Sequence, residues 1–241
     1  MDAASSRPPL AAYKDLCIDA VDPGRLGAFW AGALGLRAEP SDGGDVVLRG
    51  ATPQHTVWVN RVPEPVTVKQ RVHLDLRRDV SALVDLGADV VDDASFRWVV
   101  LRDPEGGELC TFEPRDDRPE GFYEIGVDTD RDPLAIARWW GRVLGCRPQV
   151  DEDGGWTWIE GIPGCPFESI VFAPVPEPKT VKNRIHLDVT TPDVAALVDA
   201  GAVVLREPDD EVRWHVLADP DGNEFCAFGV PGQQTTGSDG T

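Results

Sequence analysis

The chain has 241 residues, with 42 acidic against 23 basic side chains and a formal net charge of −19. Such a balance repels nucleic-acid phosphates and anionic membrane surfaces, so the expected partner is a small molecule, with neither nucleic acid nor membrane. The N-terminal stretch MDAASSRPPLAAY lacks a signal-peptide core, and no apolar run reaches the ~20 residues that span a bilayer. Five cysteines without a C-x-x-C pair argue against a disulfide framework or a zinc knuckle. A cytoplasmic protein with reduced thiols is expected, as a monomer or homodimer.

In chain order, DLCIDAV (15–21) reads as a strand, and Asp22-Pro23 supplies an N-cap and a proline at the first helical position. The helix that follows places Leu26, Phe29, Trp30, Ala33 and Leu34 on one face, with Gly35 available as a left-handed cap. Short strands are predicted at DVVLRG and HTVWVN, then at RVHLDL (71–76), followed by a short helix around VSALVDLG. A strand near FRWVVL leads into Asp103-Pro104-Glu105-Gly106, whose residue preferences are those of a type I turn, and ELCTF closes the series. The related DPDGNE lacks the alternating ligands of a calcium loop.

The second half repeats all of this. VPEPVTVKQRVHLDL (62–76) is answered by VPEPKTVKNRIHLDV (175–189), RWVVLRDPEGGELCTF (97–112) by RWHVLADPDGNEFCAF (213–228), and DPGRLGAFWAGALGLR (22–37) by DPLAIARWWGRVLGCR (132–147). The chain is therefore a tandem duplication. Its joint lies in the charged, proline-bearing segment 115–121, with residues 1–12 expected to be a flexible N-terminus and 231–241 a disordered tail.

The ordered motifs, occurring twice, resemble the glyoxalase-like branch of the vicinal oxygen chelate (glyoxalase/bleomycin resistance/dioxygenase) superfamily. That resemblance covers residues 13–229. It implies an α+β fold of four βαβββ modules, arranged as two tandem glyoxalase-like domains over 13–114 and 122–230. Curved mixed β-sheets would surround a cavity, with modules paired two per copy. In metal-using members, ligands come from the first and last strands of two modules. Carried over by position, these fall on Asp15, Asn60, His73 and Cys110 in the first copy, and on Glu124, Ala173, His186 and Cys226 in the second.

Ala173 cannot ligate, Asn60 is a poor ligand, and cysteine stands where the family often has glutamate. The metal sets are then Asp15, His73 and Cys110, or Glu124, His186 and Cys226. If modules pair between copies, Asp15 and Asn60 would instead join His186 and Cys226. Such donors suit a divalent metal such as Zn, Fe, Ni or Mn.

Strand alternation puts His73 with Asp75, and His186 with Asp188, on one face, so each histidine is a metal ligand, a cavity-wall residue or a purely structural one. Glu108 and Glu224, two residues before the cysteines on the same face, are candidate proton shuttles. Trp58, Trp98, Trp156, Trp158 and Trp214 are candidate ligand-binding residues, with Asn60, Asp75 and Asp188, whereas Trp30, Trp139 and Trp140 belong to helical core stripes. Two functions follow from the resemblance. One is metal-free binding of a hydrophobic or aromatic molecule in a sheet-lined cavity, in secondary metabolism or resistance by sequestration, which the drifted ligand set favours. The other is a metal-dependent lyase, isomerase or epimerase working through an enolate-like intermediate.

Overall fold

The computed structural model describes residues 8–117, 120–151 and 155–230. The tail expected over 231–241 and residues 1–7 of the expected flexible N-terminus lie outside them. Four strand-helix-three-strand modules follow one another. The first comprises β1 (Ala12–Ala20), α1 (Pro23–Leu34), β2 (Arg37–Pro40), β3 (Val46–Arg49) and β4 (Val57–Arg61). The second comprises β5 (Val72–Arg77), α2 (Val80–Asp85), β6 (Asp89–Asp92), β7 (Val99–Arg102) and β8 (Glu108–Phe112). The third has β9 (Gly121–Thr129), α3 (Pro133–Leu144), β10 (Pro148–Val150), β11 (Thr157–Glu160) and β12 (Ser169–Pro174). The fourth has β13 (Ile185–Thr191), α4 (Val194–Asp199), β14 (Val203–Arg206), β15 (His215–Ala218) and β16 (Glu224–Gly229).

Local chemistry sets these boundaries. The Asp22 carboxylate accepts from the Arg25 backbone N–H to start α1, and Gly35 ends it at φ 69°, a conformation that only glycine adopts without strain. Asp132 and Gly145 do the same for α3. In the hairpin between β7 and β8, the Gly106 N–H donates to the Asp103 carbonyl at 2.9 Å, closing the expected turn. The next glycine cannot carry a side chain, because a β-carbon on Gly107 would lie 2.7 Å from the Asp103 carboxylate.

The strands assemble into two eight-stranded mixed sheets, ordered β14-β15-β16-β13-β1-β4-β3-β2 and β10-β11-β12-β9-β5-β8-β7-β6. The first sheet thus joins the first module to the fourth, and the second sheet joins the second to the third. Pairing within each copy, as the resemblance implied, is not what forms. The seams are antiparallel: β1 runs against β13 with Cys17 opposite His186, and β5 against β9 with His73 opposite Gly126. Modules of one copy meet through their helices instead. Arg78, just after β5, donates to the Ala33 carbonyl of α1, and Trp139 of α3 donates to the Ala200 carbonyl after α4.

Period-two alternation sends Leu16, Ile18, Leu74, Leu76, Ile125, Val127 and Leu187 to the helix-bearing faces, where they join Trp30, Trp139 and Trp140 in one continuous apolar core. The core tryptophans are where the helical stripes placed them. The N-terminal segment is anchored from residue 10, because the Leu10 and Ala11 N–H groups donate to the Val143 carbonyl at the end of α3 and Ala11 is buried. Opposite the helices, each sheet carries a largely buried polar floor.

Candidate functional site

The floor of the first sheet is built at the β1–β13 seam, where odd-numbered residues of β1 meet even-numbered residues of β13, β4 and β16. A register shift between Tyr13 and Asp15 aims Lys14 at its neighbour. Lys14 Nζ donates to Asp15 Oδ2 at 2.7 Å while sitting 4.2 Å over the Phe228 ring, and Trp58 Nε1 donates to the same oxygen at 3.1 Å. Asn60 Nδ2 donates to Cys17 Sγ at 2.9 Å.

His186 holds the centre. Its ligand-capable nitrogens lie within 4.8 Å of donor atoms in two sets, Asp188 with Cys226 and Cys17 with Asp19. All five of these residues are buried. Three buried atoms have no hydrogen-bond partner: Asp15 Oδ1, His186 Nδ1 and Asp188 Oδ1. His186 Nδ1 and Asp188 Oδ1 approach to 3.0 Å but lack the alignment of a hydrogen bond. Burial pushes the Asp15 carboxyl up to about 6, with Lys14 opposing and Asp188 adding to the shift. The His186 imidazole is opposed by burial yet held well above its ordinary value by Cys17 and Asp188 beside it.

The floor of the second sheet is built in the same way at the β5–β9 seam. His73 Nδ1 forms a 2.7 Å hydrogen bond with Asp75 Oδ1, and Cys110 joins them within 4.8 Å. Glu124, opposite Asp75 in the ladder, accepts from Ser169 Oγ at 2.8 Å. Burial, with Asp75 nearby, raises Glu124 to about 7; His73 is raised to about 9 because Asp75 outweighs the opposing burial. Where the first sheet has Cys17, this one has Gly126, and the imidazole fills the vacated space: a β-carbon there would lie 2.1 Å from His73 Cε1.

The grouping of the expected metal residues changes accordingly. Asp15 sits with His186 and Cys226, not with His73 and Cys110, and Glu124 sits with His73 and Cys110, not with His186 and Cys226, because the sheets pair between copies. The alternative set of Asp15, Asn60, His186 and Cys226 is the one brought onto a single sheet. Ala173 lies on β12 of the second sheet, opposite Asp128 of β9. Glu224 accepts from Lys179 Nζ at 2.8 Å and from the Asn183 N–H at 3.1 Å, and Glu108 lies 3.8 Å from Arg102.

The expected tryptophans do not gather around one chamber. Trp58 covers Asp15, and Trp214 stacks on Phe228 at 5.0 Å, both on the first sheet. Trp98 and Trp156 meet edge-on at 5.8 Å on the second, with Phe96 stacked on Trp98 at 4.9 Å. Trp158 donates to its neighbour Glu160. A cavity of about 980 Å³ lies elsewhere, lined by segments 62–71 and 177–184, which link the sheets, and by Asp19.

Cys17, Asp19, Lys14 and Lys182 were missed by sequence reasoning. For Cys17 and Asp19 the signal was present, since they alternate with Asp15 along one strand face. What gives Cys17 meaning is its position opposite His186, which depends on pairing between copies.

Comparison with known proteins agrees with this architecture. The family model described as glyoxalase-like domain matches residues 15–112 and again 124–228. The chain therefore belongs to the glyoxalase-like family, as a tandem member. Among solved structures, it is similar to glyoxalase I from Zea mays at 15% identity and a TM-score of 0.59, over 90% of this chain and 92% of that one. It is also similar to a putative dioxygenase from Bacillus subtilis subsp. subtilis str. 168, at 12% identity and a TM-score of 0.61, over 93% and 87%. At these identities the likeness is one of fold. Comparison with curated protein sequences gives no match. No helix among the described residues is long and apolar enough to cross a membrane.

Proposed function

We propose that the floor of the first sheet is a divalent-metal centre, and that the chain acts there on a small oxygen-bearing organic molecule as a lyase or isomerase. The observation that carries this reading is the buried grouping of a His186 ring nitrogen, an Asp188 carboxylate oxygen and the Cys226 thiol within 4.8 Å of one another, with Asp15, whose buried Oδ1 lacks a hydrogen-bond partner, opposite Asp188 in the ladder. A buried polar atom left unpaired, as Asp15 Oδ1 is, costs about 1–3 kcal/mol, which a nearby cation would offset. Imidazole nitrogen, carboxylate oxygen and thiolate sulfur suit zinc, iron or nickel better than manganese.

His186, Asp188 and Cys226 would hold the ion, with Asp15 completing the set. Such an ion supplies a Lewis acid toward a carbonyl or enol oxygen. The remaining roles belong to the chain itself. Lys14 and Trp58 fix Asp15 through its Oδ2, leaving Oδ1 free to point elsewhere. Asn60 orients the Cys17 thiol. Of the two candidate proton shuttles, Glu224 lies on the strand face of Cys226, held by Lys179 and the Asn183 N–H, and Glu108 lies on the other sheet. Titrating cobalt(II) into metal-stripped protein tests the assignment. A sulfur-to-cobalt charge-transfer band that disappears in Cys226→Ser supports it, and a titration without that band rejects it.

The binding reading retains one favourable observation. Phe96 and Trp156 are exposed beside Trp98 on the second sheet, an aromatic surface suited to a flat ligand. Tryptophan quenching by aromatic compounds in metal-free protein, lost in Trp156→Ala, is the result this reading expects.

A further inference from the structure

The cavity of about 980 Å³ is walled by the two linkers, residues 62–71 and 177–184, each carrying the chain from one sheet to the other, and touches the first sheet's floor only at Asp19. The linkers clasp each other reciprocally. Arg71 donates to the Glu177 carbonyl of the opposite linker, and Arg184 to the Glu64 carbonyl. The duplicated V-P-E-P-x-T-V-K segments thus face one another across a chamber of the size that takes a small organic molecule.

Its lining has two characters. Val62, Pro65, Val66, Val68, Pro178 and Val181 make an apolar wall. Its charged lining is Lys69, Arg71, Lys179, Lys182 and Arg184 with Asp19, Glu64 and Glu177, and from behind it Glu224 engages Lys179 at 2.8 Å and Glu105 engages Arg184 at 3.3 Å. Lys69 and Lys182 pair with Asp128 and Asp19, but the carboxylates are buried beneath while the lysine side chains stay about half exposed, at 50% and 56%. Arg71 Nη1 and Arg184 Nε, equivalent guanidiniums in the two copies, have no hydrogen-bond partner.

From this lining we infer that the inter-linker chamber is a binding site for an amphipathic organic anion, a carboxylate carried on an apolar body. The valines and prolines take the body, and the lysines and clasped arginines take the head. No glycine-rich loop or helix N-terminus borders the chamber, so the phosphates of a nucleotide find none of their usual backbone donors. The inference stands on the chamber alone and does not depend on a metal.

Fluorescence of anilinonaphthalene sulfonate, an aromatic anion, with metal-stripped protein is the test. The expected result is saturable binding, displaced by decanoate but not by decanol at equal concentration, and unchanged by added zinc. Val68→Trp with Val181→Trp fills the chamber from linker positions that are 44% and 45% exposed, so the fold survives and binding is lost. Lys69→Gln with Lys182→Gln keeps a hydrogen bond to each buried carboxylate but removes the charge, and weakens binding about tenfold. Undiminished binding in the double tryptophan variant, equal displacement by decanol, or no binding overturns the inference. Because the protein is metal-free throughout, failure here leaves the cobalt titration of the sheet floor to be judged on its own.

Discussion

Cys17 lies directly opposite His186 across the β1–β13 seam, and the position opposite His73 across the β5–β9 seam is Gly126. One substitution between duplicated strands therefore separates a thiol–imidazole floor from one in which the imidazole packs onto bare backbone. Gly126→Ala must displace the His73 ring, since the added β-carbon would lie 2.1 Å from Cε1, and so breaks the 2.7 Å bond to Asp75. Urea denaturation is expected to show a loss of about 1–3 kcal/mol. Gly155→Ala, where the new carbon meets nothing within 4 Å, serves as the control and stays within about 0.5 kcal/mol of wild type.

Pairing between copies makes neither half self-sufficient. A fragment of residues 8–117 holds β1 without β13 and β5 without β9, leaving two long edges unpaired. Light scattering should find no folded monomer of that fragment, and mixing it with residues 120–230 should give a one-to-one complex. A monomeric half with native-like circular dichroism would contradict the seam assignment.

Asp219 anchors the turn between β15 and β16. Its carboxylate accepts from the Asp221 and Asn223 N–H groups, both at 2.9 Å, from Trp140 Nε1 at 3.0 Å and from Asn223 Nδ2 at 3.2 Å. Burial still raises it to about 6. Asp219→Ala strands four donors and should cost about 2–4 kcal/mol in chemical denaturation. Alanine at half-buried Asp221, measured alongside, loses one contact to Thr129 and should cost under about 1 kcal/mol.

Stability should fall with rising pH across the neutral range. Asp15, Asp103 and Asp219 at about 6, and Glu124 at about 7, are raised by burial above their unfolded values. Between the unfolded and folded values of such an acid the native state holds more protons than the unfolded chain, so stability declines as pH climbs from about 4 to about 7. His73, raised to about 9, holds its proton in the native state over the next interval and extends the decline from about 6.5 to 9. In chelator-treated protein the Tm should fall at each step from pH 5 to pH 9, with the upper part of the slope shallower in His73→Gln. A Tm that rises from pH 5 to 8 would be inconsistent with these buried acids.

Much of this molecule could be read in its residues. The capping aspartates, the left-handed glycines after α1 and α3, the D-P-x-G turns and the alternation that sets His73 and His186 apart from their flanking leucines are all local, and all appear as read. Local pattern could not say which module pairs with which, because β1 has the same apolar alternation whether it borders β5 or β13. The first-strand carboxylates could consequently be grouped with either histidine, and Cys17 went unnoticed. The large chamber was equally hidden. Tryptophans on strands looked like cavity walls, yet Trp58 spends its indole on Asp15, while the chamber is walled by linkers whose repeated V-P-E-P motif had seemed only a mark of duplication.

The claim that the first sheet's floor is a metal centre is tested most directly by elemental analysis of untagged protein, comparing wild type with His186→Ala and His73→Ala. The account predicts about one divalent metal per chain, lost in His186→Ala and retained in His73→Ala. Metal-free wild type, or metal that vanishes with His73 but survives removal of His186, would contradict it.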